Sequence, residues 1–318
     1  MQQLESSDLR IQISEWGAEL QSIYSKANHI EVLWQGHNRY WNRRAPVLFP
    51  IVGKLKNHTY IVNSKPYQLP QHGFARDVKF NVTAQDTNTL EYTLESNAYT
   101  QSVFPFAFQF KIKYSLNNYI LTTCFTTVNT GNTQMMYSFG AHPAFNCPMI
   151  AGTRPDDYAI RFYNTNLTHT LLAEGLRTSI QNPLHLQNGM LPLHQSLFDN
   201  DAFVFENSQI TAVSLHLGQY PLLTLNCKNW PYFGIWSKPA APFICFEPWH
   251  GVADHIATNL QWVLKPGLIQ LQPASSYSAE FTLDFKGIIQ YQQQKKTVHL
   301  RSLIYMPWKL YITLRKNN

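Results

Sequence analysis

Two short segments about a hundred residues apart hold the side chains best suited to acid/base chemistry. They are Ser138-Phe139-Gly140-Ala141-His142-Pro143-Ala144-Phe145-Asn146 and Ile244-Cys245-Phe246-Glu247-Pro248-Trp249-His250-Gly251. Each sets one titratable residue directly before a proline. Proline fixes its own φ and biases the preceding residue toward extended backbone. His142 and Glu247 are therefore expected on extended chain with restricted orientation. Phe139 and Phe145 are expected to frame the first, and Phe246 and Trp249 the second. One imidazole and one carboxylate held among rings match a reaction that removes one proton and supplies another.

The elements that must position this pair read as strands. Leu9, Ile11 and Ile13 alternate with polar residues, and Phe108, Phe110, Ile112, Tyr114 and Leu116 alternate as far as Asn117-Asn118. The chain resumes from Ile120 to Val128, which predicts a β-hairpin with a two-residue turn. Further candidate strands lie at 89–95, 158–163, 202–206, 210–217, 221–226, 243–247, 268–272 and 278–285. Helical periodicity is almost absent. Charged residues are 14% of the chain against roughly 25% in an average domain, and aromatics are also 14%. These features predict an all-β sandwich or large barrel with a wide core.

The formal net charge of +6 misleads. Seven basic and no acidic residues lie between Lys286 and Asn318, which leaves 18 basic against 19 acidic in 1–285. The body carries no basic stripe of the kind a phosphate backbone requires, so no nucleic-acid partner is expected. No run of about 18 apolar residues exists, so no membrane span is expected. Cys124, Cys147, Cys227 and Cys245 are scattered, without a CxxC pair. With a polar Met1-Gln2-Gln3-Leu4-Glu5 start, this predicts reduced thiols and a cytoplasmic location. A boundary is expected near 286, between a 1–285 domain and a basic 286–318 extension. Leu310, Ile312 and Leu314 alternate like a strand there. The extension reads as an appendage without a role in the chemistry, or as a segment that rests on an anionic membrane surface.

The two segments do not stand alone. Gly17-Ala18-Glu19-Leu20-Gln21-Ser22-Ile23, Val32-Leu33-Trp34-Gln35-Gly36, the stretch from Trp41-Asn42-Arg43-Arg44 to Gly53-Lys54-Leu55, and Gln71-His72-Gly73-Phe74-Ala75-Arg76-Asp77 accompany them in order. With these motifs residues 5–285 resemble the aldose 1-epimerase (galactose mutarotase) superfamily, most closely its LacX-like branch. The resemblance implies a galactose mutarotase-like β-supersandwich with an open cleft for a pyranose, and neither metal nor organic cofactor. In that family a glutamate takes the C1 hydroxyl proton while a histidine protonates the ring oxygen. The ring opens, C1–C2 rotates, and closure gives the other anomer. Carried over, Glu247 is the general base, His142 the general acid, and His72 the second, sugar-binding histidine.

Arg76, four residues after His72, could grip sugar hydroxyls or fork onto a phosphate. Arg43 and Arg44 are neighbours, so at most one should face the cleft, and the hexose-phosphate branch favours Arg44. The galactose branch carries an Asn-Arg pair where this chain reads Gly53-Lys54-Leu55-Lys56-Asn57-His58, so Lys54 or Arg44 would replace that arginine. Asp201 matches a sugar-hydroxyl acceptor, with Asp199 the alternative. Trp34, Trp236 and Trp249 offer stacking faces. His250, Asp254 and His255 do not form the i, i+4 histidine pair of HExxH, since the two histidines are five apart, and Gly251 stands at the start of the stretch. The expected activity is α/β interconversion of a free hexose. A hexose 6-phosphate is the rival substrate, and a non-catalytic carbohydrate-binding protein on the same fold the rival class. Neither the identity of the hexose nor the oligomeric state follows from the sequence.

Overall fold

The computed structural model describes residues 1–291. Strand makes up 48% of the chain and helix 8%, in agreement with the all-β expectation. A nine-stranded sheet runs in the order Met190–Pro192, Tyr158–Phe162, Ala212–Leu217, Tyr220–Asn226, Ser276–Asp284, Ile120–Asn129, Phe108–Asn117, Thr89–Glu95 and Asn81–Gln85. An eight-stranded sheet runs Leu176–Pro183, Thr168–Ala173, Phe203–Phe205, Tyr232–Trp236, Phe243–His250, Phe139–Ala141 and Val47–Leu48, with Ala144–Asn146 also paired to Phe243–His250. The ladders of both sheets are antiparallel.

The alternation in Phe108–Asn117 builds the interface between the sheets. Phe108, Phe110, Ile112, Tyr114 and Leu116 are buried, while the residues between them reach outward. Phe110 and Phe125 of the nine-stranded sheet meet Phe139 of the other sheet at centroid distances of 6.3 and 5.3 Å, and Phe49 stacks on Phe110 at 4.3 Å. Such ring contacts add to the large apolar area that each side chain removes from water. The hairpin turn falls one residue later than expected. Asn117 still pairs with Ile120, and Asn118, at φ +51°, leads the turn with Tyr119. Either asparagine tolerates left-handed backbone, so composition did not choose between them.

The strand Phe243–His250 is buried along its whole length. Ile244 and Phe246 join the main core, and His250 packs against Phe139 at 5.0 Å. On the opposite face Cys245, Glu247 and Trp249 look away from that core. Packing on the body continues past 285: residues 286–291 are helical, Ile288 is fully buried, and Tyr291 packs on Tyr220 at 5.3 Å. The strand-like alternation at 310–314, with the rest of the extension, lies outside the described residues. Among the described residues no helix is long and apolar enough to cross a membrane.

Candidate active site

The partner of the Phe243–His250 strand is broken in the middle. Phe139 and Gly140 pair with His250 and Trp249, while Ala144, Phe145 and Asn146 pair with Cys245, Ile244 and Phe243. Between these two stretches the residue count is equal on both strands, so His142 falls directly opposite Glu247. Pro143 has no N–H to give the ladder, yet its carbonyl still accepts from the Phe246 N–H at 3.3 Å. Side chains facing each other across antiparallel strands share one face. His142 Nε2 accordingly lies 3.1 Å from Glu247 Oε2.

Both groups are buried, Glu247 at 1% exposure and His142 at 7%. Their contact is close but not aligned as a hydrogen bond, and Glu247 Oε2 and His142 Nδ1 have no hydrogen-bonding partner. Burial raises the Glu247 carboxyl well above the ordinary carboxylate range, and the nearby Asp201 charge adds to this. Burial also lowers His142 to about 3, with Arg76 and Arg43 adding repulsion. Both shifts favour the uncharged forms, a protonated carboxyl and a neutral imidazole.

His142 is not framed by the phenylalanines expected from sequence. Phe139 belongs to the main core, and so does Phe145, which meets Phe246 there at 5.8 Å. The imidazole instead stacks on Trp41 at 4.8 Å and meets the edge of Trp236 at 5.7 Å. Neighbours in sequence alternate across the sheet, so the frame is supplied by residues distant in the chain.

His72 completes the group, 5.6 Å from His142 between ring centroids. Its backbone is left-handed, at φ +67°, and Gly73 follows at +73°. A Cβ on Gly73 would lie 2.3 Å from the Phe49 carbonyl oxygen, so only glycine fits there. The His72 N–H donates to Gly53 O at 2.9 Å, and the Gly53 N–H donates to His72 Nδ1 at 3.1 Å. That second bond uses the Nδ1 lone pair and leaves the proton on Nε2. Burial first, then the charges of His142, Arg76 and Arg43, hold His72 well below its usual range. It is a neutral donor whose Nε2 lies 3.3 Å from the Gln71 side-chain amide, which accepts through its oxygen once the amide is turned over.

These side chains line a pocket of about 280 Å³, near the lower limit of ordinary small-ligand sites. Trp41, Gln71, His72, Arg76, His142, Asp201, Trp236, Glu247 and Trp249 all contribute to it. Trp249 lies over two glycines on the adjacent strands. A Cβ on Gly234 would come within 2.4 Å of its ring, and one on Gly140 within 2.6 Å. Gly234 is the ladder partner of Glu247, and Gly140 that of Trp249. The missing side chains let the indole lie against the sheet as part of the pocket wall, with its Nε1–H buried and unpartnered.

The remaining expected residues divide. Arg76 lines the pocket, donates to Gln71 O at 2.5 Å and lies 3.7 Å from Asp77. Burial and the neighbouring Arg43 pull it down to about 10. Asp201 is at the rim, its Oδ1 accepting from the Ala202 N–H at 2.8 Å. Arg44 turns away, its guanidinium on Gln21 and its backbone N–H on Glu19. Arg43 is the one of the pair nearer the site. It bonds Asp77 at 2.8 Å, and its charge acts on both histidines. Lys54 spans to the Glu174 carbonyl at 2.9 Å, supporting the turn whose Gly175 forms part of the pocket wall. Asp254 and His255 are engaged elsewhere, the first with Lys265 and the second with Ser179.

Trp41 and Gln71 were not singled out from the sequence. Both lie inside motif stretches, but nothing local marks an indole that will stack on a histidine a hundred residues away. Trp34 supports that indole instead of touching the pocket. Its Nε1–H donates to Trp41 O at 2.9 Å.

The two large antiparallel sheets and this pocket define a galactose mutarotase-like protein. The aldose 1-epimerase family matches residues 1–284, and the chain belongs to that family. A galactose mutarotase related enzyme from Lactobacillus acidophilus superposes with a TM-score of 0.85 at 31% identity, over 89% of this chain and 96% of the other. A galactose mutarotase-like protein from Lactobacillus casei gives 0.83 at 32% identity, over 89% and 99%. Protein LacX of Lactococcus lactis subsp. lactis, in plasmid and chromosomal forms, is 28% identical over 293 residues, 88% of this chain and 98% of LacX.

Proposed function

We propose that this protein is an aldose 1-epimerase that interconverts the α and β anomers of a free hexose. The observation that carries the reading is the 3.1 Å contact of His142 Nε2 with Glu247 Oε2 in a monosaccharide-sized pocket. The hydroxyl oxygen O1 and ring oxygen O5 of a pyranose are bonded to the same carbon. A base and an acid in mutual contact match two such neighbouring oxygens.

In the opening direction the Glu247 carboxylate takes the O1 proton and the C1=O1 bond forms. The C1–O5 bond breaks, and O5 takes a proton from the His142 imidazolium. Rotation about C1–C2 presents the other face of the aldehyde. Closure reverses both transfers, with protonated Glu247 giving and neutral His142 receiving. The burial-favoured state of the free pair is the closing state, and its isomer with the proton on His142 is the opening state. A small rotation that aligns the 3.1 Å contact as a hydrogen bond would let the proton pass between the two and convert one state to the other. Two such transfers, each contributing about 10²–10⁴-fold, suffice for a reaction that already proceeds slowly in water. His72 Nε2–H is available to a sugar oxygen, and the Trp41, Trp236 and Trp249 rings offer apolar faces to the pyranose.

The rate of α-to-β interconversion of glucose, galactose and glucose 6-phosphate, followed in a buffer without phosphate, tests the reading. Acceleration that disappears in Glu247→Gln is the expected result. Arg76, with Arg43 behind it, is the observation that favours a phosphorylated sugar, and a preference for glucose 6-phosphate would assign the cations to that group. Sugar binding without acceleration would leave a carbohydrate-binding protein.

A further inference from the structure

Among the described residues, one group of histidine, cysteine and carboxylate side chains brings three potential ligand atoms within 4.8 Å of one another. They belong to His142, Cys245 and Glu247, all buried. Cys245 lies two residues before Glu247 on the strand Phe243–His250 and so shares its face. It is the one member with no part in the proton transfers, and it forms no disulfide.

We propose that Cys245, His142 and Glu247 form a binding site for a soft divalent cation such as Zn²⁺, and that occupancy blocks the acid/base pair. Three arguments support it. The donor set is one thiolate, one imidazole and one carboxylate, a combination that suits zinc. The charges balance: a thiolate and a carboxylate neutralise a dication in a buried place, where an uncompensated charge is costly. Glu247 Oε2 is also buried without a hydrogen-bonding partner, so a cation would meet an unsatisfied acceptor.

The spacing is close to what coordination needs. Ligand atoms around tetrahedral zinc lie roughly 3–4 Å apart, given bonds of about 2.0–2.3 Å. The 3.1 Å His142–Glu247 contact is already in that range, and closing the widest separation takes a shift on the order of 1 Å. Binding releases two protons, one from the Cys245 thiol and one from the His142–Glu247 pair. The site is one of inhibition, since the proton it displaces is the one the pair would transfer.

Chelation depends only on these three side chains, whereas inhibition rests on the epimerase reading, so the primary test does not use activity. The full chain is titrated with Co²⁺ alone, and the near-ultraviolet thiolate-to-cobalt charge-transfer band is recorded. One equivalent is expected to give the band, and Zn²⁺ to remove it by replacement. Cys245→Ala is expected to abolish the band, and His142→Asn, which keeps the thiol, to weaken cobalt affinity by more than about tenfold. No band in the full chain, or an undiminished band in either variant, overturns the proposal. If the band behaves as expected and the protein epimerises no sugar, the metal site stands and the functional reading falls.

Discussion

At the scale of single residues, the proposed mechanism has Glu247 and His142 hold one proton between them and exchange it with the sugar. Glu247→Gln keeps the volume but removes the base, and His142→Asn removes the acid. Each is expected to lower kcat by about 10²–10⁴-fold with little change in KM, because the lost interaction belongs to the transition state. Steady-state kinetics on the preferred sugar checks this, and an unimpaired variant would remove that residue from the mechanism. The pH profile of kcat/KM follows from the same burial. In the proposed mechanism activity needs the singly protonated pair. The acid limb should therefore lie far below an ordinary histidine, toward the value of about 3 that burial gives His142. The alkaline limb should lie above the ordinary carboxylate range, since burial raises Glu247. An acid limb near 6.5 would mean that His142 titrates as a solvated imidazole.

At the scale of elements, the strand Phe243–His250 and the turns around it set the pocket's shape. Gly234 and Gly140 make room for Trp249, so Gly234→Ala should push the indole into the pocket. The expected outcome is a stability loss of roughly 1–3 kcal/mol, the usual result of overpacking, together with weakened sugar binding in a direct titration. The turn after this strand is tied down from beneath. Lys265 Nζ donates to Val252 O at 2.7 Å and to Asp254 Oδ1 at 2.8 Å, while Asp254 Oδ2 accepts from the Lys56 N–H at 3.0 Å. Lys265 and Asp254 are both buried, so Lys265→Met strands a carboxylate and should cost about 3–5 kcal/mol in denaturant unfolding. Adding Asp254→Asn removes the stranded charge but keeps the acceptor for Lys56, and should recover part of that loss. The element scale also separates what could be read in advance from what could not. The Phe108–Asn117 hairpin was legible because one face alternates over ten residues. The choice of Arg43 over Arg44 was not, because adjacent residues with the same chemistry carry no signal of which way a short irregular segment turns.

At the scale of the whole molecule, the core encloses histidines that an average interior would exclude. His250 sits among Phe139, Trp230 and Tyr277, and burial lowers it to about 4. In the unfolded chain it would titrate near 6.5. Between these values the unfolded state binds more protons, so the stability contribution is present above 6.5 and is lost as pH falls toward 4. His142 adds to the same acid instability. Glu247 acts in the opposite sense, losing stability as pH rises from the ordinary carboxylate value through its raised one. His250→Phe keeps the ring and removes the titration. Compared with the wild-type chain, the variant should gain up to about 3 kcal/mol between pH 7 and pH 4, read from unfolding curves at both values. Parallel losses in the two proteins would show that His250 titrates in the folded protein as it does in the unfolded chain.

The sequence by itself determined the all-β class, the alternating faces of the long hairpin, and the two Pro-flanked segments that hold His142 and Glu247. These are local facts: residue type, period and the restriction that proline places on its neighbour act over a few positions. Tertiary structure decided which residues surround the pair. It placed His142 directly opposite Glu247, stacked it on Trp41 instead of Phe139 or Phe145, laid Trp249 over Gly234 and Gly140, and engaged Arg44 with Gln21 and Lys54 with the Glu174 carbonyl. The reason is geometric. A strand sends adjacent side chains to opposite faces, so a residue's companions are supplied by other strands in register with it. That register is fixed by the burial of the sheet as a whole.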